Sequence, residues 1–146
     1  MIALKDPPMK TYIFEIRYEK FRATVGFLGE YTLYDLAETL IKALEFDFDH
    51  CFQFCDNLNN PYDSKEHYTL FADIGEADDD PGVKKTLISE VFTKGRTMLF
   101  HFDYGDDWEF PVTCIDIGEE EATRRHRRVI SRHGNPPVQY PPCEEE

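Results

Sequence analysis

The sequence predicts an α+β domain in which a mixed sheet of about five strands is crossed by one long helix. Three observations predict it. Runs of alternating apolar residues flank short turns over 12–27 and again over 98–116, the period-two signature of strands with one buried face. Between them Leu33, Leu36, Ala37, Leu40, Ile41 and Leu44 recur at helical spacing, forming a single apolar stripe. Finally, the 146 residues include 12 Phe and 8 Tyr, enough bulk for a core that needs no disulfide or metal staple. The chain reads as a single domain, 1–146.

Residues 1–10 form a lead-in, because Pro7-Pro8 disfavours regular structure. Tyr12, Phe14, Ile16 and Tyr18 make a first strand, and Phe21, Ala23, Val25 and Phe27 a second. Pairing Tyr18 with Phe21 aligns both apolar rows. Glu19-Lys20 lacks the residues that favour positive φ, which predicts a widened loop. Thr32 is a natural N-cap for the helix, with Asp35 three residues later as its capping-box partner. The stripe ends at Glu45-Phe46-Asp47.

His50 to Cys55 reads as a third strand, and 56–84 as a long polar insertion in which Tyr68, Leu70 and Phe71 mark a short strand or anchor. Thr86 to Phe92 predicts a turn or two of helix, capped by Thr86 and stopped by Gly95. The last hairpin follows. Met98, Phe100, Phe102 and Tyr104 alternate up to Gly105-Asp106-Asp107, and Trp108, Phe110, Val112 and Cys114 resume the pattern. A three-residue loop, Tyr104 opposite Trp108, keeps all the aromatics on one face, whereas a two-residue loop would split them. Pro111 lacks a ladder donor and suggests an edge or a bulge. Glu119-Glu-Glu121 ahead of the arginines Arg124 to Arg128 suits a helix dipole and i,i+4 pairing, which predicts a solvent-facing helix over 119–132. Residues 133–146 read as an extended Pro-rich tail. The order of elements is β-grasp-like, with an extra strand and a C-terminal helix. It would set the first strand parallel to Thr97–Tyr104 at the sheet centre.

A net charge of −13 opposes general nucleic-acid or anionic-membrane binding. No apolar run approaches the roughly 20 residues needed to span a bilayer, and Met1–Pro8 lacks the pattern of a signal peptide. Cys51, Cys55, Cys114 and Cys143 show no framework of spacing, which predicts free thiols and a cytoplasmic protein.

Five candidate sites follow, each with a structural reading beside it. Asp103, Asp106 and Asp107 supply hard oxygens for a divalent cation; the structural reading, which we prefer, is a turn built by Asp side chains with Gly105 at a permissive φ. His101, Asp103 and Glu109 form an acid/base cluster if they share one exposed face, although no nucleophile motif stands near them. His50, Cys51 and Cys55, with His67 and Cys143, form a weak zinc set without a second Cys/His pair. Arg124, Arg125, Arg127 and Arg128 could meet phosphates, but the neighbouring glutamates favour pairing within the chain. Tyr104, Gly105, Asp106, Asp107 and Trp108, at the hairpin end, form an aromatic and acidic surface suited to a protein partner.

Phe102-Asp-Tyr-Gly-Asp-Asp-Trp-Glu109 resembles the Y-D-F/Y-G-D-x-W signature of the Ri-plasmid ORF-three-like family, some of whose members are passengers of mobile elements. Thr32-Leu-Tyr-Asp-Leu36, His50-Cys-Phe-Gln-Phe54, Leu87-Ile-Ser-Glu-Val91 and the strand from Gly95 to Phe102 resemble further family segments in the same order. The likeness covers about residues 11–116, while 134–142 echoes the family's Pro-rich endings only loosely. It implies a compact α+β domain and carries no established activity. The resolvase-like label borne by some members finds no serine-nucleophile region or recognition helix in these residues. The expected function is therefore a non-enzymatic binding or adaptor domain without a cofactor, contacting a protein partner through the hairpin end. The alternatives are a metal-assisted hydrolase and, more weakly, an accessory nucleic-acid-binding protein.

Overall fold

A computed structural model describes residues 8–70 and 81–140. Among these, one seven-stranded antiparallel sheet carries the fold, in the spatial order β4-β3-β5-β6-β1-β2-β7. The strands are β1 (Met9–Tyr18), β2 (Phe21–Leu28), β3 (Phe52–Cys55), β4 (His67–Thr69), β5 (Thr97–Phe102), β6 (Trp108–Glu120) and β7 (His126–His133). Helix α1 (Leu33–Leu44) and the single turn α2 (Ile88–Val91) accompany them, with a 3-10 turn at Pro61–Asp63. The molecule is α+β only in the broad sense, since strands dominate.

The expected mixed, β-grasp-like sheet is not formed. β6 lies between β5 and β1, antiparallel to both, so β1 and β5 never meet as a parallel pair. The reason is the length of β6. Its first half pairs with β5 through Thr113, and from Val112 to Glu120 it pairs with β1. Pro111 is consequently inside the sheet rather than on an edge strand. It sits opposite Leu99 one residue before the ladder to β1 begins, where its missing N–H is least disruptive.

The expected helix over 119–132 is also absent: β6 runs on to Glu120, and His126–His133 pairs with β2 as an edge strand. Tertiary pairing overrides the local charge pattern here. Arg127, Val129 and Ser131 are half-buried while His126, Arg128 and Ile130 are exposed, which is strand alternation. Arg127 bridges Asp35 and Glu38 of α1, and Arg132 donates to the Ala43 and Lys42 carbonyls at the helix C-terminus. The arginines therefore answer the helix across the sheet instead of the adjacent glutamates.

Other elements follow the sequence closely. Tyr18 pairs with Phe21, although the loop does not widen, because Glu19 takes positive φ (53°) itself. Thr32 and Asp35 form the reciprocal capping box, and the apolar stripe of α1 is fully buried. Thr86, in contrast, is not the cap of α2. Its hydroxyl donates to the Gly82 carbonyl, and the Glu90 carboxylate accepts the Leu87 N–H instead. Of the 56–84 insertion, the described residues include the 3-10 turn and β4; Phe71 and the acidic stretch 73–80 lie outside the described residues. Of the lead-in, Met9 and Lys10 belong to β1.

The core is an aromatic layer between the sheet and α1. Cross-strand neighbours build it in rows: Phe54, Phe100 and Phe110 stand opposite one another across three strands, with Phe54 and Phe100 stacked at 5.0 Å. Phe52, Phe102 and Trp108 form the next row. Complete burial of each such ring contributes about 1.5–3 kcal/mol.

Two results test this arrangement by chemical denaturation. Thr32→Ala removes the cap and lowers stability by about 1 kcal/mol. Arg127→Ala costs about 1 kcal/mol through its lost bridge to α1, whereas Arg128→Ala, on the exposed face, leaves the midpoint unchanged; equal effects would contradict the strand assignment.

Candidate functional site at the hairpin end

The β5–β6 hairpin keeps the expected parity but not the expected register. Phe102, not Tyr104, stands opposite Trp108, so the loop spans five residues, Asp103 to Asp107. An odd loop still places both aromatic rows on the helix side. The loop closes this way because Asp103 leaves the strand at positive φ (62°) and Asp107 returns at 51°. Asp tolerates that region because its short side chain bonds locally. Gly105 is not among the positive-φ residues, so the permissive position falls on the two aspartates rather than on the glycine.

Asp103 is 6% exposed and is committed to this turn. Its Oδ1 accepts the N–H groups of Gly105 and Asp106, its backbone carbonyl accepts that of Asp107, and its own N–H reaches the Cys51 carbonyl. The other carboxylate oxygen lies 3.3 Å from His50 Nε2. His50 also meets the Tyr140 hydroxyl, which donates to Asp49. The Gln139 amide bonds both the N–H and the carbonyl of Asp47. Gln139 and Tyr140 thus strap the start of the tail to the α1–β3 connection.

His101 is fully buried, contrary to the exposed acid/base face expected for it. The segment 56–66 covers this part of the sheet, with Tyr62 edge-on to the imidazole at 5.5 Å. Across from His101 stands Glu109, which a three-residue loop would instead set opposite Asp103. His101 Nε2 lies 2.7 Å from Asp107 Oδ1, an oxygen that also accepts from the Tyr62 hydroxyl. Hydrogen bonding from His101, more than Tyr62, holds the Asp107 carboxyl below its ordinary range against a smaller opposing effect of burial. Gln53 and His67 extend this contact into a chain.

The two signature aromatics do not act as a pair. Tyr104 packs on the His101 ring at 4.9 Å, on the side away from the helix. Trp108 joins the helix-side cluster, stacked on Phe110 and edge-on to Tyr18 and Phe46. Its indole N–H is buried with no hydrogen-bond partner. Tyr18, Asp106, Asp107, Trp108, Glu109 and Gln139 line an open cleft of about 490 Å³. A roomier cleft of about 660 Å³ lies at the other end of β1, between Met9, Gly29, Glu30 and Arg125. It mixes charges and its lining includes no aromatic ring, so the hairpin cleft is the better-defined recognition surface.

The metal and zinc sets do not converge. Asp103 and Asp107 spend oxygens on the turn and on His101, and no group of three ligating side chains is disposed around one point among the described residues. Burial pushes the Cys55 thiol up, and Cys51, Cys55 and Cys114 are free thiols; Cys143 lies outside the described residues. Of the arginines, Arg125 donates to the Glu30 carbonyl and lies over the Tyr31 ring, and Arg127 is bound to α1. Arg124 and Arg128 are exposed. Among the described residues no helix is long and apolar enough to cross a membrane.

Sequence reasoning overlooked Gln53, Tyr62, Gln139 and Tyr140, and weighed His67 only as a zinc ligand. Gln53 alone carried a legible signal: a polar side chain flanked by Phe52 and Phe54 in a strand predicts a buried hydrogen-bonding role.

A twelve-residue helix packed on a seven-stranded antiparallel sheet, with an aspartate-built turn closing its central hairpin, defines a β-rich α+β class of small domain. The chain belongs to the family described as Plasmid pRiA4b ORF-3-like protein, whose model matches residues 15–139. The fold is similar to the crystal structure of MM3350, a protein of unknown function from Methanosarcina mazei Go1. The TM-score is 0.70 at 18% identity, over 90% of this chain and 73% of that one. No curated protein matches the sequence.

Two outcomes check the turn. Asp103→Ala lowers stability by about 1–3 kcal/mol by orphaning amides that the carboxylate satisfies, while Asp103→Asn, which retains an acceptor, costs less. Because the folded Asp107 carboxyl is depressed, its stabilising contribution is complete above the ordinary carboxylate value, near pH 4, and fades as pH falls through the folded value. Asp107→Asn therefore flattens the acid limb of the stability–pH curve, measured by urea midpoints.

Proposed function

We propose that the protein is a non-enzymatic binding domain whose hairpin end receives a basic segment of a protein partner. The observation that carries this reading is the cleft at Trp108, where two aromatic walls meet three carboxylates. Aromatic faces and carboxylates together favour a guanidinium or ammonium group. The unpartnered indole N–H would gain an acceptor, such as a peptide carbonyl, on binding. The net charge of −13 adds long-range attraction for a basic partner and repels nucleic acid.

The hydrolase alternative is less well supported, because two of the three carboxylates it needs are already engaged, Asp103 in the turn and Asp107 with His101 and Tyr62. The nucleic-acid alternative loses Arg127 and Arg125 to contacts within the chain. A link to plasmids or mobile elements rests on family membership alone.

Trp108 is the chain's one tryptophan, so its fluorescence reports directly on the cleft. A short arginine-containing peptide is expected to shift its emission saturably at low salt. Affinity should fall as salt rises, and at least tenfold in the double variant Asp106→Asn with Glu109→Gln, neither of which lies in the His101 chain as a bonded partner. No saturable shift, or one that the double variant leaves intact, removes the cleft as the contact surface. A rise in Tm with Mg²⁺, Mn²⁺, Ca²⁺ or Zn²⁺ that Asp106→Asn abolishes would favour the hydrolase instead.

A further inference from the structure

We infer that His101 and His67, joined through Gln53, hold one proton in common beyond those of two neutral rings, and that the orientation of the Gln53 amide decides which ring is the cation. Four contacts run in series. Asp107 Oδ1 is 2.7 Å from His101 Nε2, and His101 Nδ1 is 3.0 Å from the Gln53 amide nitrogen. The Gln53 oxygen is 2.8 Å from His67 Nδ1, and His67 Nε2 is 2.8 Å from the Ser64 carbonyl.

Each contact needs one hydrogen. The two ends, an ionised carboxylate and a peptide carbonyl, supply none. Gln53 supplies one, and each neutral imidazole supplies one. The fourth hydrogen must be an added proton. Without it, two acceptors would face each other within hydrogen-bond distance beside a His101 that is fully buried and a Gln53 that is 5% exposed, an arrangement that buried polar groups avoid.

With the amide nitrogen toward His101, that ring accepts at Nδ1, donates at Nε2 and is neutral, and His67 donates from both nitrogens as the cation. Half a turn of the amide, which exchanges two atoms of nearly equal size, reverses the roles. His101 then becomes the cation against Asp107. Charged and polar groups stand around both rings. Around His101 stand Asp107, Glu109 across the sheet, and the Tyr62 and Tyr104 rings. Around His67 stand Cys55 across the sheet and the Asp56 and Glu66 carboxylates of the adjoining loop, Glu66 being shared with Arg96.

A rotation of one side chain therefore moves a full charge between the hairpin turn and the loop before β4. With the cation at His101 the turn is tied by an ion pair; with it at His67 the same contact is a neutral N–H donation. The inference stands apart from the partner proposed above, since it concerns atoms beneath the cleft and its readout involves no ligand.

Long-range ¹H–¹⁵N correlation of the histidine rings in the full chain at neutral pH tests it. The expected spectrum has one of the two rings as imidazolium, or both averaged to half-protonated if the amide rotates rapidly. In Gln53→Met both rings should lose the imidazolium signature. In His67→Asn, which still offers Gln53 a donor, His101 should be neutral; this second variant serves if the first does not fold. Two neutral rings in the unaltered protein overturn the inference. So does a His101 cation that persists in His67→Asn, because the proton would then belong to His101 and Asp107 alone.

Discussion

Among the described residues one long helix covers one face of a seven-stranded sheet, and filling so wide a face shapes the rest of the molecule. The twelve residues of α1 present a stripe of Leu, Ile and Ala that cannot by itself bury so wide a surface. Phenylalanine makes up the difference. Rows of rings across β3, β5 and β6 give the sheet a thick apolar layer, and Phe46, Phe48 and Phe92, from connecting segments, pack into it. The rings meet edge-on or offset, the geometries aromatic quadrupoles favour, so bulk and specificity come from the same side chains.

The opposite face is treated unevenly. Over β1 and β2 its residues are mostly half-buried or exposed, whereas over β3 and β5 Gln53, Cys55, Leu99 and His101 are buried beneath the segment 56–66. That cover buries Gln53 and His101 and half-buries His67. Buried polar groups must find partners, and here they find one another, with Asp107 at one end and the Ser64 carbonyl at the other. The hairpin turn is thereby tied to the loop before β4 through the contacts of His67 Nδ1 and His101 Nδ1 with the one Gln53 amide. Asp107 belongs both to this chain and to the cleft lining, so the exterior surface and the interior polar chain share a residue.

The same economy holds for charge. An acidic chain keeps its arginines close: Arg127 and Arg132 of the edge strand grip the two ends of α1, and Arg125 lies against Tyr31. These contacts fasten the edge strand to the helix. They leave the carboxylates at the hairpin end without a basic counterpart among the ion pairs of the described residues, apart from His101 with Asp107 and His50 with Asp103.

Much of the local structure was legible in the sequence because its physics is local. The Thr32–Asp35 capping box, the buried stripe of α1, the Tyr18–Phe21 pairing and the even-sided aromatic rows of the last hairpin all follow from spacing and side-chain chemistry within a few residues. What escaped was non-local. Nothing within 119–132 announces that β2 has an edge to fill, so a charge pattern suited to a helix became a strand with its arginines turned to α1. Nothing in the length of β6 says which two strands it will serve. The hairpin loop was misjudged by one residue pair because Asp103 and Asp107, not Gly105, take the left-handed conformation. His101 looked like an exposed polar residue because alternation assigns a face and cannot say what covers it. By itself the sequence determined the periodicities, the cap of α1, the parity of the hairpins and the family. Only the tertiary structure decided strand order, what became of the basic segment and the burial of His101, because each depends on surfaces that exist only once distant parts of the chain have met.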